Sequence, residues 1–83
     1  MRNGKEIDED GDISYKKDGN FNREDGPTAI WMSGERWWCI EGLFHREDGP
    51  AIVSSKGGKS WYVKGVSFTE HAFNEWKIID FLK

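Results

Sequence analysis

The sequence predicts a mainly β fold with one C-terminal α-helix, built as an array of β-hairpin repeats that form a meandering antiparallel sheet. Three observations support this prediction: a repeated motif, short β-prone runs between glycine turns, and a change to helical spacing near the C-terminus. Residues 21–27 (FNREDGP) return as residues 44–50 (FHREDGP), 23 positions later. A sustained period of this length is typical of repeat architectures, in which each unit stacks on its neighbours.

The period extends beyond this motif. Trp38 corresponds to Trp61 one period downstream and to Tyr15 one period upstream, so the first unit is degenerate but in phase. The chain of 83 residues is expected to form a single domain. Hairpin repeats are predicted over residues 1–65, and a capping helical segment over residues 66–83.

Each unit is expected to be one β-hairpin, because Gly11, Gly34 and Gly57 offer the positive φ that a tight reversal requires. Side chains alternate between the two faces of a strand. For Ile30 and Trp38 to lie opposite each other on one face, the loop must hold an odd number of residues, such as three that include glycine. The shared apolar face is predicted to contain Ile7, Tyr15, Ile30, Trp38, Ile40, Val53, Trp61 and Val63.

The last stretch of the chain changes to helical spacing. Thr69 is the predicted N-cap, and Phe68 precedes it where it can pack against Phe73 as a hydrophobic staple. The apolar face of this helix is predicted to contain Ala72, Phe73, Trp76, Ile79 and either Leu82 or Lys83. A helix attached to the last hairpin is expected to cover one face of the sheet.

The composition argues against several classes of protein. A single cysteine forms no internal disulfide and no thiolate zinc cluster, which is typical of a cytoplasmic protein. No apolar run approaches the roughly 18 residues of a membrane span, and the acidic N-terminus is unlike a signal peptide. The net charge of -3 argues against attraction to phosphate backbones, so no membrane or nucleic-acid partner is expected.

The residues indicate no catalytic or metal site, and no cofactor is expected. The Arg-Glu-Asp trios at 23–25 and 46–48 offer carboxylates for acid–base chemistry or cation binding. Their recurrence favours a structural turn instead, in which aspartate binds loop amides and arginine pairs with a neighbouring unit. The acidic run at 8–12 begins a segment that lacks the glycine and glutamate of a calcium loop. Cys39 is interpreted as a packing thiol rather than as a nucleophile beside His45.

Residues 38–52 (WCIEGLFHREDGPAI) carry a resemblance to a known group of proteins. They resemble small repeat proteins with a Trp-x-x-x-Gly-x-x-His-Arg-Glu-Asp-Gly-Pro-Ala unit, which are similar to MORN-type repeats and common in tailed-phage genomes. Asn22 and Thr28 depart from that unit, which has His and Ala at these places. The resemblance implies a hairpin scaffold for protein or lipid contacts rather than an enzyme, and it implies a phage protein that inhibits a host defence or metabolic protein in the host cytoplasm.

The middle unit departs most from the repeat. Trp31 and Trp37 are expected to lie together on the face opposite Ile30, where the other units have aspartate or serine. Either the helix covers the two rings, or they form an exposed aromatic patch of the kind that supplies binding hot spots. The predicted partner-binding residues are Trp31, Arg36 and Trp37, with Asp8, Asp10 and Asp12 as a charged rim.

The sequence thus predicts a non-enzymatic protein-binding module. One alternative is a protein that sequesters an anionic small ligand or nucleotide with Arg23, Arg46, Lys56 and Lys59. Weak membrane association is a third interpretation. Edge strands, chiefly in the first unit, offer a route to a homodimer, because an unpaired strand edge can accept a second chain.

Overall fold

Short antiparallel strands form a meandering sheet that ends in one helix, which confirms the predicted mainly β fold with one C-terminal helix. The computed structural model describes residues 4–81. The elements are β1 Gly4–Ile7, β2 Ile13–Lys17, β3 Asn20–Phe21, β4 Ala29–Ile30, β5 Arg36–Trp37, β6 Cys39–Ile40, β7 Leu43–Phe44, β8 Ile52–Val53, β9 Lys59–Val63, β10 Val66–Phe68 and α1 Glu70–Phe81. The strand order is β1-β2-β4-β5-β8-β9-β10, with β3 beside β2, while β6 and β7 form a separate pair.

Three-residue loops close the hairpins β1–β2, β4–β5 and β8–β9. In the middle hairpin, Trp31 N–H donates to the Glu35 carbonyl at 2.9 Å, and Gly34 N–H donates to the Trp31 carbonyl at 2.8 Å. The φ angle of Gly34 is 98°, and Gly11 and Gly57 have φ angles of 87° and 92°. This is the geometry of a type I turn followed by a left-handed glycine. The predicted odd loop with glycine is confirmed.

The strand register differs from the prediction. Ile30 lies opposite Arg36 rather than opposite Trp38, and Trp37 lies opposite Ala29. The difference arises because the pair that closes the loop fixes every later partner along the hairpin. Trp38 instead donates its backbone N–H to the Ala51 carbonyl at 2.7 Å.

A second set of hairpins alternates with the first and uses two-residue turns. Their turn residues all have positive φ, as a type I′ turn requires. These residues are Asp18 (52°) and Gly19 (83°), Glu41 (50°) and Gly42 (81°), and Lys64 (51°) and Gly65 (81°). The prediction of one hairpin per unit is therefore wrong, because each 23-residue segment contains two reversals. Residues 66–68 still pair as a strand with β9, so helical structure begins only at Glu70.

Apart from Phe73, the buried residues have small or medium-sized side chains. The buried set is Thr28, Ala29, Cys39, Ala51, Val63 and Phe73. Thr28 is completely buried, and its hydroxyl donates to the Cys39 carbonyl at 3.0 Å and accepts from the Cys39 N–H at 2.8 Å. The expected burial of Ile7 is wrong: this residue is 63% exposed because β1 is an edge strand.

Helix α1 begins at the predicted cap and packs at one end of the sheet. The Thr69 hydroxyl accepts a hydrogen bond from Ala72 N–H at 3.0 Å, which confirms the N-cap. Phe73 is buried, and the rings of Phe68 and Trp76 are 6.3 Å apart. Ile79 is 60% exposed, so its predicted packing is wrong.

The helix packs mainly against β9 and β10, and this narrow contact buries only a short stripe of the helix surface. The prediction for Leu82 and Lys83 lies outside the described residues. Over residues 4–81, no helix has the length and apolar character needed to cross a bilayer.

The positive φ of Glu41 generates a stability prediction. Asparagine is tolerated in the left-handed region better than glutamate and is favoured in type I′ turns. We expect Glu41→Asn to raise the free energy of unfolding by about 0.5–1 kcal/mol, measured by urea denaturation. Lys64→Asn, at the equivalent turn, should act in the same direction, and a lowered denaturation midpoint for both variants would contradict the turn assignment.

Candidate functional site

An aromatic cluster surrounds Trp37. Its ring centroid lies 4.9 Å from that of Trp31, 5.1 Å from that of Phe44 and 6.2 Å from that of Phe21. Its indole N–H donates to the Glu35 carboxylate at 2.5 Å. The predicted proximity of Trp31 and Trp37 is confirmed, and both residues are half-buried. Aromatic rings of neighbouring hairpins pack around Trp37, whereas the helix lies at β9 and β10.

Acidic residues of the first hairpin loop lie beside the second loop. Oxygens of Asp8, Asp10 and Asp12 lie within 4.8 Å of one another. One oxygen of Asp8 accepts the N–H groups of Asp10 and Asp12 at 2.9 and 3.0 Å. Asp12 accepts the N–H of Met32 at 2.7 Å. The Asp8 carboxylate thus orders the first loop, and the Asp12 carboxylate joins this loop to the second.

Met32 makes this region more than an acidic loop. The side chain is 69% exposed although it is apolar. A Cβ atom added at Gly11 would lie 2.8 Å from the Met32 sulfur, so the methionine lies directly over the first loop. We call the surface formed by Asp8, Glu9, Asp10, Asp12 and Met32 the tip surface.

The predicted partner-binding residues do not form one surface. Arg36 pairs across the sheet with Ile30 and Val53, whereas its neighbour Trp37 pairs with Ala29 and Ile52. Consecutive strand residues point to opposite faces, so Arg36 lies on the face away from the two tryptophans. Sequence reasoning also missed Met32, although its place between Trp31 and a glycine turn was a signal.

Each Arg-Glu-Asp-Gly-Pro loop is organised by its arginine. Arg23 donates through Nε to Asp25 at 3.0 Å and through Nη1 to the Pro27 carbonyl at 3.1 Å. Its guanidinium carbon lies 3.9 Å from the centre of the Tyr15 ring. Arg46 makes the same three contacts, with Asp48, Pro50 and Trp38, at the same distances.

The structural interpretation of these loops therefore needs correction in its details. The arginine pairs with the aspartate of its own loop rather than with a neighbouring unit, and this aspartate binds arginine rather than loop amides. Neighbouring segments are instead joined through the backbone, where Arg23 N–H donates to the Cys39 carbonyl and Arg46 N–H to the Tyr62 carbonyl, both at 3.1 Å.

Asn22 and His45 perform the same structural task. The Asn22 side-chain oxygen accepts the N–H of Glu41 at 2.8 Å, and Nδ1 of His45 accepts the N–H of Lys64 at 2.9 Å. Because Nδ1 is an acceptor, the ring proton lies on Nε2, which faces the Glu47 carboxylate at 3.0 Å. The contact explains why asparagine can stand where the resembled unit has histidine.

A cleft of about 760 Å³ separates the two arginine loops. Its walls are residues 23–27 on one side and residues 45–48 on the other, and Trp38 and Ile40 also line it. Arg23 and Arg46, which the anion-binding alternative requires, both line this cleft. Lys56 and Lys59 do not line it, because they lie in and after the loop of the third hairpin.

Cys39 lies in an apolar environment. The residue is only 3% exposed, which confirms the packing role predicted for it. Burial raises the pKa of the thiol from 9.0 to about 11. Thiolate is the nucleophilic form of cysteine, so this environment disfavours covalent catalysis by Cys39.

Comparisons with protein-family models, with curated proteins and with solved structures found no match.

The shared role of Asn22 and His45 predicts an exchange that the protein tolerates. We expect His45→Asn to change the free energy of unfolding by less than about 0.5 kcal/mol, whereas His45→Ala leaves the Lys64 N–H without its acceptor and should cost about 1 kcal/mol. Denaturant titration of both variants measures the difference. If both variants lost the same free energy of unfolding, the hydrogen bond to Nδ1 of His45 would make no specific contribution to stability.

The burial of Cys39 predicts slow reaction with thiol reagents. We expect the native protein to react with a disulfide reagent at neutral pH far more slowly than the protein in concentrated guanidinium chloride. The pKa of the Cys39 thiol is higher in the folded protein than in the unfolded chain. The free energy of unfolding is therefore at its full value below the unfolded pKa of this thiol, and it falls as pH rises toward about 11. Equal rates in the two conditions would contradict the burial.

Proposed function

We propose that this chain is a non-catalytic protein-binding module that contacts its partner through the tip surface. The observation that carries the proposal is Met32, an apolar side chain that is 69% exposed and held against a loop of acidic residues. Methionine adapts its shape to a partner and is often used at binding surfaces. An apolar contact with a charged rim is the usual arrangement of a protein interface.

The loop geometry supports this proposal because it fixes the surface before binding. Asp8 bonds two amides of its own loop, and Asp12 bonds the amide of Met32 in the next loop. A pre-organised surface loses less conformational entropy when a partner binds. The acidic side chains favour a partner with a basic contact surface, since complementary charges speed association and exclude wrong partners.

The nature of the partner follows from the resemblance to phage-type repeat proteins. We propose a host protein, with inhibition of a defence or metabolic factor as the outcome and the host cytoplasm as the location. A single buried cysteine without a disulfide partner is compatible with a reducing compartment.

Sequestration of an anionic ligand is the weaker proposal. The cleft between the arginine loops is lined by two arginines and four carboxylates, which gives it a formal charge of -2 when His45 is neutral. Each arginine is already bound to an aspartate at 3.0 Å. An anion entering the cleft would therefore meet net repulsion.

The tip surface is tested by a pair of matched variants. Met32→Ser should weaken partner binding by about tenfold, whereas Ile78→Ser, which removes an exposed apolar residue from helix α1, should leave the affinity unchanged. Affinity capture from host lysate identifies the partner, and calorimetry with that purified partner measures both variants. Loss of binding in Ile78→Ser with full binding in Met32→Ser would place the interface on the helix and overturn the proposal.

A further inference from the structure

The cleft between the two arginine loops has the features of a second binding site, apart from the tip surface. Its volume of about 760 Å³ exceeds that of a single amino-acid side chain. Residues of two different loops form its walls, so its shape depends on the fold rather than on one flexible segment.

The charges of the cleft favour a cation. Asp25 and Asp48 are each neutralised by the arginine of their own loop, so their charges are locally compensated. The Glu47 carboxylate accepts a hydrogen bond from Nε2 of His45 at 3.0 Å and is not paired with the arginine of its loop, which binds Asp48. Glu24 is exposed and has no hydrogen bond or ion pair with the residues that the structure describes. Each wall therefore carries one carboxylate that is not paired with an arginine.

The remaining lining supplies an apolar surface. Trp38 and Ile40 are half-buried and both contribute to the cleft. The methylene groups of a lysine or arginine pack on such a surface while the charged head stays near water and carboxylates. This combination distinguishes the cleft from a site for a bare metal ion, which would need several oxygen ligands and no apolar surface.

The chain itself provides a precedent for lysine at this loop type. The ammonium group of Lys77, on helix α1, donates a hydrogen bond to the Glu47 carbonyl oxygen of the second arginine loop. The equivalent carbonyl of the first loop belongs to Glu24, and it receives no such bond from residues 4–81. A lysine from outside the chain can therefore repeat at the first loop the contact that Lys77 makes at the second.

We propose that the cleft between residues 23–27 and 45–48 binds a cationic side chain, lysine or arginine, from an extended segment of a partner protein. The stem of the side chain packs on Ile40 and on the part of the Trp38 ring that Arg46 leaves uncovered, and its charged head lies between the carboxylates of Glu24 and Glu47. A free polyamine offers the same chemistry as these side chains, namely a cationic nitrogen group on an alkyl chain. A protein side chain is favoured because Lys77, a lysine of the protein itself, already contacts the second arginine loop.

The probe for this site is a blocked tetrapeptide, acetyl-Gly-Lys-Lys-Gly-amide, titrated into the isotope-labelled full chain and followed by NMR. We expect the largest shifts at the amides of residues 23–27 and 45–48 and at the indole N–H of Trp38. The same peptide with norleucine or glutamate in place of lysine should cause no saturable shift. Saturable binding of the glutamate peptide, or lysine-peptide shifts confined to residues 8–12, would overturn the proposal.

Matched variants test whether binding depends on the charge of this cleft. Glu24→Gln should weaken the lysine peptide by about threefold, as expected for one exposed ion pair. Glu70→Gln removes the same charge from an exposed position in the first turn of helix α1, outside both surfaces, and should leave the affinity unchanged. Equal effects of the two variants would show that only overall charge matters, and equal or tighter binding of spermidine would overturn the assignment to a protein side chain. None of these results depends on Met32, so they leave the test of the tip surface independent.

Discussion

The two Arg-Glu-Asp-Gly-Pro loops depend on the contacts that the guanidinium groups of Arg23 and Arg46 make. Each joins an aspartate, a proline carbonyl and an aromatic ring at fixed distances, and thereby holds a loop that has no regular secondary structure. A Cβ atom at Gly26 or Gly49 would lie 3.0 Å from the guanidinium carbon, which explains why glycine stands at that place in both loops. The planar fork of arginine suits this task, whereas a lysine would satisfy only part of it.

The positions of the arginine loops also separate the cleft from the tip surface. Because the arginine loops lie at the ends of strands opposite to the three-residue turns, the cleft and the tip surface are separate parts of the molecule. The middle hairpin supplies Trp37 to the aromatic cluster and Met32 to the tip surface. Within a few residues, the same hairpin thus contributes both to stability and to an exposed contact surface.

Several features could be predicted from the sequence because they are local. The glycines at 11, 34 and 57 indicated the three-residue loops, and Thr69 indicated the helix start. The partner of Ile30 and the exposure of Ile79 could not be predicted, because they depend on the loop-closing pair and on how much of the helix reaches the sheet. The cleft was missed for a similar reason, since it forms between loops that are 23 positions apart.

The pairing pattern has a consequence for how the chain reaches its native state. The most distant residues paired in the described ladders, such as Ile13 and Ile30, are only 17 positions apart. The entropy lost on closing a chain segment grows with its length, so each pairing step confines only a short stretch. Topologies dominated by such neighbouring contacts fold faster than sheets that join distant strands. The molecule can therefore fold progressively during synthesis. Each new hairpin can pair with the preceding one before the C-terminus leaves the ribosome.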